Sequence, residues 1–264
     1  MTIAKTFLAW LDRSQESIVR NLSLLVPLGG LIGLGAIFFW VPTDAKQGVV
    51  QRIFYIHVPA ALVAYVAFGM VLLGSIAYLK THNRRWDSFA HASAEVGVLF
   101  TGACIVAGML WGRPEWGTYW AWDPRLTTTF VMLMIYVGYL LFRAMATDPT
   151  RGARLAAVIG IVGFVNVPLV HYSVDWWNGL HPNMRLINFN GPQSLPWQMM
   201  VTFAYMVAVF AGLFILLMML RMRLENAQIA LAEAEEAEAE AAHPASPAVR
   251  SGPAASPSPM GATQ

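Results

Sequence analysis

Between Trp111 and Trp122 five aromatic rings fall within twelve residues: Trp111, Trp116, Tyr119, Trp120 and Trp122. Gly112, Gly117, Arg113 and Asp123 are threaded among or beside them, and Arg125 closes the run. An interfacial belt at the end of a membrane helix needs only a ring or two. This density, with glycines and charges interleaved, calls for a different explanation. Large flat rings beside cations suit a large, flat, anionic ligand, with stacking over its faces and guanidinium groups on its carboxylates. Haem has that shape and two propionates. Arg52, Arg113 and Arg125 are the candidate propionate partners, although each taken singly also fits an arginine snorkelling to the interface.

Histidines supply the matching metal chemistry. His57, His171 and His181 all fall on the same side of the chain's hydropathy pattern as the tryptophan-rich run. Imidazole is a common axial ligand of haem iron, and a two-ligand site needs only two of the three. His82 lies in a basic connection and reads as a solvated residue, and His91, one turn from Glu95, as half of a local hydrogen bond. Cys104 has no partner for an internal disulfide, and no Cys-x-x-Cys-His occurs, so the chain is not itself a c-type cytochrome. Cys104, near Gly102 and Gly108, reads as a small packing residue. Neither a phosphate-cradling G-x-x-x-x-G-K-[ST] loop nor an HExxH is present.

The elements that must hold these groups are membrane helices. Of 264 residues, 57% are hydrophobic and only 12% charged, against roughly a quarter charged in soluble domains. Six apolar runs approach the roughly 20 residues a spanning helix needs: 22–40, 55–79, 89–110, 126–142, 155–170 and 197–220. With the N-terminus in the cytoplasm, Lys5, Arg13, Arg20, Lys80, Arg84, Arg85, Arg143, Arg151, Arg154, Arg221, Arg223 and Arg250 lie inside. Lys46, Arg52, Arg113, Arg125 and Arg185 lie outside. Twelve against five satisfies the positive-inside rule with both termini cytoplasmic. It also puts the three histidines and the tryptophan-rich loop, 111–125, on the extracytoplasmic face. The expected fold is therefore an all-α integral membrane protein of six spans. Residues 1–20 form a cytoplasmic segment readable equally as an interfacial helix or a frayed end, 21–222 the membrane domain, and 223–264 a tail. That tail is Ala/Glu-rich to Ala242 and has a disorder-prone Pro/Ser/Ala composition after it. Gly29 and Gly33 form a small-xxx-small pair that permits close helix packing. No Lys/Arg patch suggests nucleic acid.

The run Trp116–Asp123 matches the W-G-x-x-W-x-W-D signature of tryptophan-rich haem-handling proteins. With Ile56-His57-Val58-Pro59-Ala60-Ala61 and the stretch from Asn166 to His181, the chain over about 20–220 resembles the cytochrome c maturation protein C (haem exporter protein C) family. That resemblance implies His57 and His181 as the two axial ligands of haem b. It also implies a platform of Trp116, Gly117, Trp120, Trp122 and Asp123, which Trp111 adjoins. His171, Trp176 and Trp177 are then expected to support the ligands rather than touch the iron. The implied role is delivery, not enzymatic turnover: haem held at the outer face of a bacterial inner membrane passes to a periplasmic haem chaperone during c-type cytochrome biogenesis. The implied partners are that chaperone, a small single-span protein, and the ATPase and permease of an ABC transporter, in the lipid bilayer. A quinol-oxidising cytochrome b would need haems at two depths, yet spans one, four and six contain no histidine. A permease would need a polar or broken path through the midplane, and these spans are largely apolar.

Overall fold

The computed structural model describes residues 2–177, 179–181 and 196–242; the side chains of 2–14, 233, 236 and 240–242 are outside that description. Most of the stretch between the fifth and sixth expected spans, 171–196, which holds Arg185, therefore falls outside the described residues, as does the tail from His243. The chain divides into two compact units, Met1–Arg223 and Leu224–Gln264. The described part of the second is helical as far as Ala242.

Among the described residues seven α-helices follow in order: α1 (Thr2–Gly35), α2 (Phe54–Thr81), α3 (Arg84–Trp116), α4 (Pro124–Met145), α5 (Pro149–Phe164), α6 (Asn166–Trp176) and α7 (Trp197–Ala242). A π-helical turn, Ala36–Trp40, extends α1, and a short 3-10 turn, Val49–Ile53, leads into α2. Among the described residues there is no β-strand. Six segments are long and apolar enough to cross a membrane, with α5 and α6 together making one of them. The six expected spans are thus found, in number and order, in an all-helical membrane protein.

Boundaries differ in two places for physical reasons. Hydropathy ends the third span at Leu110, but α3 continues to Trp116. The helix stops where Gly117 takes φ +76°, its N–H returning to the Arg113 carbonyl at 3.0 Å. Only glycine enters that left-handed region freely, so the stop signal is conformational rather than hydrophobic. The fifth run breaks at Val165 between α5 and α6. Pro168 has no N–H to give the Phe164 carbonyl, and its ring crowds the preceding turn. Across the break the Asn166 side-chain amide donates to the Thr128 carbonyl at 2.8 Å, which ties α6 to α4. Residues 2–20, for their part, belong to the same unbroken helix as the first span.

The core lies among α2, α3, α4 and α5. Phe68 stacks on Tyr136 (centroids 3.7 Å apart, planes 12°), and both are fully buried. Phe68 fits because residue 97 is glycine: a Cβ there would meet its ring at 2.6 Å. The Gly29–Gly33 pair packs against α7, where the Tyr205 hydroxyl donates to the Gly29 carbonyl at 3.0 Å. At the end of the bundle opposite the tryptophan-rich loop, Arg143 pairs with Asp87, and Arg221 gives both Nε and a terminal nitrogen to Glu95. His91 Nε2 is 3.7 Å from Glu95 Oε1, so Arg221, not His91, is the near partner of that carboxylate. His82 is more than a solvated residue: with φ +53° it terminates α2 and donates its N–H to the Tyr78 carbonyl at 2.7 Å.

Candidate ligand cavity

At the loop end of the bundle, α2, α3, α4 and α6 diverge around a cavity of about 570 Å³. That lies within the ordinary range for small-molecule sites. His57 and Tyr65 enter its wall from α2; Cys104, Gly108, Trp111 and Trp116 from α3; Arg125 and Met132 from α4; His171 from α6. Trp120, Leu180 and His181 close it from the loops. It reaches Thr101, seven residues below Gly108 on α3 and so about 10 Å deeper at 1.5 Å per residue. One turn below Thr101, Ala64 and Met132 come Gly97, Phe68 and Tyr136, which belong to the packed core.

His57 is held by α3. Its Nδ1 stands 2.9 Å from the Cys104 carbonyl oxygen, with the Cys104 sulfur 3.7 Å from the same nitrogen. A carbonyl only accepts, so Nδ1 carries the proton and Nε2 keeps its lone pair. The ring also lies directly on Gly108, where a Cβ would stand 3.0 Å from His57 Cε1. Trp111 meets the ring edge-on, centroids 5.8 Å apart and planes at 85°. Cys104, Gly108 and Trp111 fall at i, i+4 and i+7, one face of one helix. Cys104 thus packs as expected, but it also presents the backbone acceptor that orients a histidine.

His181 is held differently. Trp116 lies against its ring at 5.2 Å, and Trp116 itself rests on Gly112, where a Cβ would meet its ring at 3.0 Å. Asp123 stands behind His181. One carboxylate oxygen accepts the N–H of Arg125 (2.9 Å) and of Leu126 (3.4 Å), capping α4. The other accepts the N–H of Leu180 (2.5 Å) and of His181 (3.3 Å). His181 Nδ1 is 3.6 Å from Oδ1, an electrostatic contact rather than a hydrogen bond. Burial opposes ionisation of Asp123, but the His181 ring and the N–H groups of Leu180 and Arg125 outweigh it and hold the carboxyl well below the usual carboxylate range. Because the folded value is depressed, the stabilisation is complete above that usual range and is lost only as pH falls through the lowered value.

Seven of the candidate residues line the cavity: His57, Trp111, Trp116, Trp120, Arg125, His171 and His181. Arg125 donates to the His171 carbonyl at 2.9 Å, while its Nε is buried without a partner. The others lie elsewhere. Trp122 is 76% exposed and meets Trp120 edge-on. Gly117 terminates α3. Arg113 donates to the Gly117 carbonyl and lies over Tyr119, and Arg52 lies over Phe38 at 5.6 Å. Trp176 and Trp177 are exposed, Trp176 stacking on Tyr172. Cys104, Gly108 and Tyr65 were not among the candidates; the helical spacing of the first two with Trp111 is the signal that points to them.

Six membrane-length helical segments, with a histidine- and tryptophan-walled cavity at one end of the bundle, define a multi-pass membrane protein. The chain belongs to the heme exporter protein C family, whose sequence model matches residues 2–238. It is 38% identical over 184 residues to heme exporter protein C of Bradyrhizobium diazoefficiens, covering 70% of each chain. It is 32% identical over 216 residues to that of Haemophilus influenzae, covering 80% of this chain and 87% of the relative. With the Escherichia coli K12 protein of the same name it shares 35% over 158 residues, 60% of this chain and 63% of the relative.

Proposed function

We propose that the cavity receives haem b at the extracytoplasmic face of a bacterial inner membrane. There the protein presents it to a periplasmic haem chaperone during c-type cytochrome biogenesis, within an ABC-transporter-type complex that includes a small single-span protein. The observation that carries this reading is the lock on His57: the Cys104 carbonyl fixes Nδ1–H and leaves Nε2 as a donor beside a cavity walled by tryptophan. Metal-binding histidines ordinarily have such a partner on the other nitrogen.

The donor set favours haem over a bare ion. Among the described residues no group of three or more His, Cys, Asp or Glu side chains is placed to hold a metal ion. Iron already held by a porphyrin needs only axial ligands, which His57 and His181 supply. Trp111, Trp116 and Trp120 give flat apolar surface, and Arg125 places a cation where a propionate can meet it. His171, whose carbonyl accepts from Arg125, orients that cation instead of ligating. The twelve-to-five distribution of basic residues supports the external placement. Relatives named heme exporter protein C support the choice of cargo. In this scheme the chain's residues bind, orient and shelter the porphyrin, whose own reactivity serves the later bond-making.

The test is direct. The full chain, purified in detergent from cells making its partners, is expected to carry one b-type haem by pyridine haemochrome assay, with the six-coordinate low-spin spectrum of bis-histidine ligation. A preparation with no haem, even after titration with hemin, overturns the assignment and moves a ligand carrier of other specificity to first place.

A further inference from the structure

Asp123 does more than begin a helix. An N-cap uses one side-chain oxygen, and Oδ1 satisfies both α4 amides. Oδ2 is left for the Leu180 and His181 amides, 57 and 58 residues away in sequence. The Asp123 side chain is 1% exposed, so the carboxylate is a buried hub rather than a surface charge. Gly179 makes the approach possible: a Cβ there would stand 3.2 Å from both Asp123 Cγ and Pro124 Cδ, and closer still to Oδ2. His181 Nδ1 faces the carboxylate and is otherwise buried without a hydrogen-bond partner.

We infer that Asp123 is the positioning residue of His181, and that it makes the two axial histidines unequal. His57 faces a neutral carbonyl through Nδ1, whereas His181 faces a full negative charge. A carboxylate behind an imidazole raises its basicity as a ligand. A fixed negative charge beside the site also favours the more positive oxidation state of iron. His181 is therefore the stronger donor and His57 the weaker. The inference rests on the haem reading above.

Asp123→Asn tests it: asparagine caps a helix as well as aspartate, but its single amide oxygen serves the α4 amides alone, so the charge and the acceptor facing Leu180 and His181 are lost together. In the haem-loaded full chain this variant is expected to hold haem less tightly, since losing the orienting partner of a ligand costs roughly 10–100-fold in metal affinity. Its midpoint potential, read by spectroelectrochemical titration, rises: a tenfold loss of ferric preference is about 59 mV for one electron. Gly179→Ala, which leaves cap and charge in place but pushes the loop off Asp123, is expected to lower haem affinity at least tenfold with an unchanged melt. An unchanged potential in Asp123→Asn reduces Asp123 to a helix cap and overturns the inference. Should Asp123→Asn fail to accumulate, Gly179→Ala decides: affinity lost in a folded protein supports the clamp, and wild-type affinity overturns it. A wild type that never takes up haem sinks the haem reading, whereas a loaded wild type with unresponsive variants sinks only the clamp.

Discussion

His57→Ala is expected to abolish stable haem binding, and Gly108→Val to reproduce most of that loss without touching a ligand. The first removes a donor atom. The second works through geometry: a Cβ at residue 108 would already stand 3.0 Å from His57 Cε1, tighter than ordinary contact, and valine adds two methyl groups. The ring must then leave the Cys104 carbonyl, 2.9 Å from its Nδ1, and Nε2 no longer points where the lock aims it. Losing an orienting partner of this kind costs roughly 10–100-fold in metal affinity, and losing the ligand costs more. Gly102 supplies the control, since nothing lies within 4 Å of a Cβ built there on the same helix. Gly102→Val is expected to bind normally. Hemin titrations followed at the Soret band measure all three. Equal affinity in Gly108→Val and wild type would show that the ring is not held as the structure has it.

Arg143→Ala is expected to produce the largest loss of stability of any single substitution at the opposite end of the bundle. Asp87, in the first turn of α3, and Arg143, in the last turn of α4, have side chains only 6% and 16% exposed. Removing one member of such a pair leaves the other charge buried without its near counter-ion, which costs about 3–5 kcal/mol. Arg143→Lys keeps the charge but loses the planar, multi-donor head, so it should fall between wild type and alanine. Thermal unfolding of the detergent-solubilised protein reads the difference. A shift corresponding to less than about 1 kcal/mol, the range of exposed ion pairs, would mean that water reaches both groups. Neither substitution is expected to alter haem affinity, because the packed core separates this end from the cavity.

What was legible in the sequence followed from bulk chemistry. Uncharged apolar runs of membrane length have one physical solution, helices that satisfy their own backbone, so the six spans could be read directly. The cavity was legible where its chemistry is carried by side-chain type: rings and imidazoles at that density had few other uses. Backbone acceptors and long-range pairings were not legible. The Cys104 carbonyl that orients His57 is a main-chain atom, the same for any residue at 104. Gly117 stops α3 by its dihedral angle, which hydropathy does not register, so Trp111, Arg113 and Trp116 were placed in a loop rather than on a helix. Arg221 finds Glu95 across 126 residues, and Asp123 finds Leu180 across 57. Pairings at that separation depend on the whole topology, and periodicity reports only the nearest turn.

The stacked pair of Phe68 and Tyr136, seated on Gly97, has a kinetic consequence. With these close-packed rings below the cavity, haem held there on the proposed reading would arrive and depart above that layer. Tight holding and quick hand-over then conflict: at a dissociation constant of about 1 nM and an association rate of about 10⁶ M⁻¹ s⁻¹, spontaneous escape takes on the order of a thousand seconds. Under the proposed function, turnover in such a cup would be governed by residence time, so an acceptor that displaced His57, the weaker donor in the inference above, would gain more than one that waited for the cup to empty.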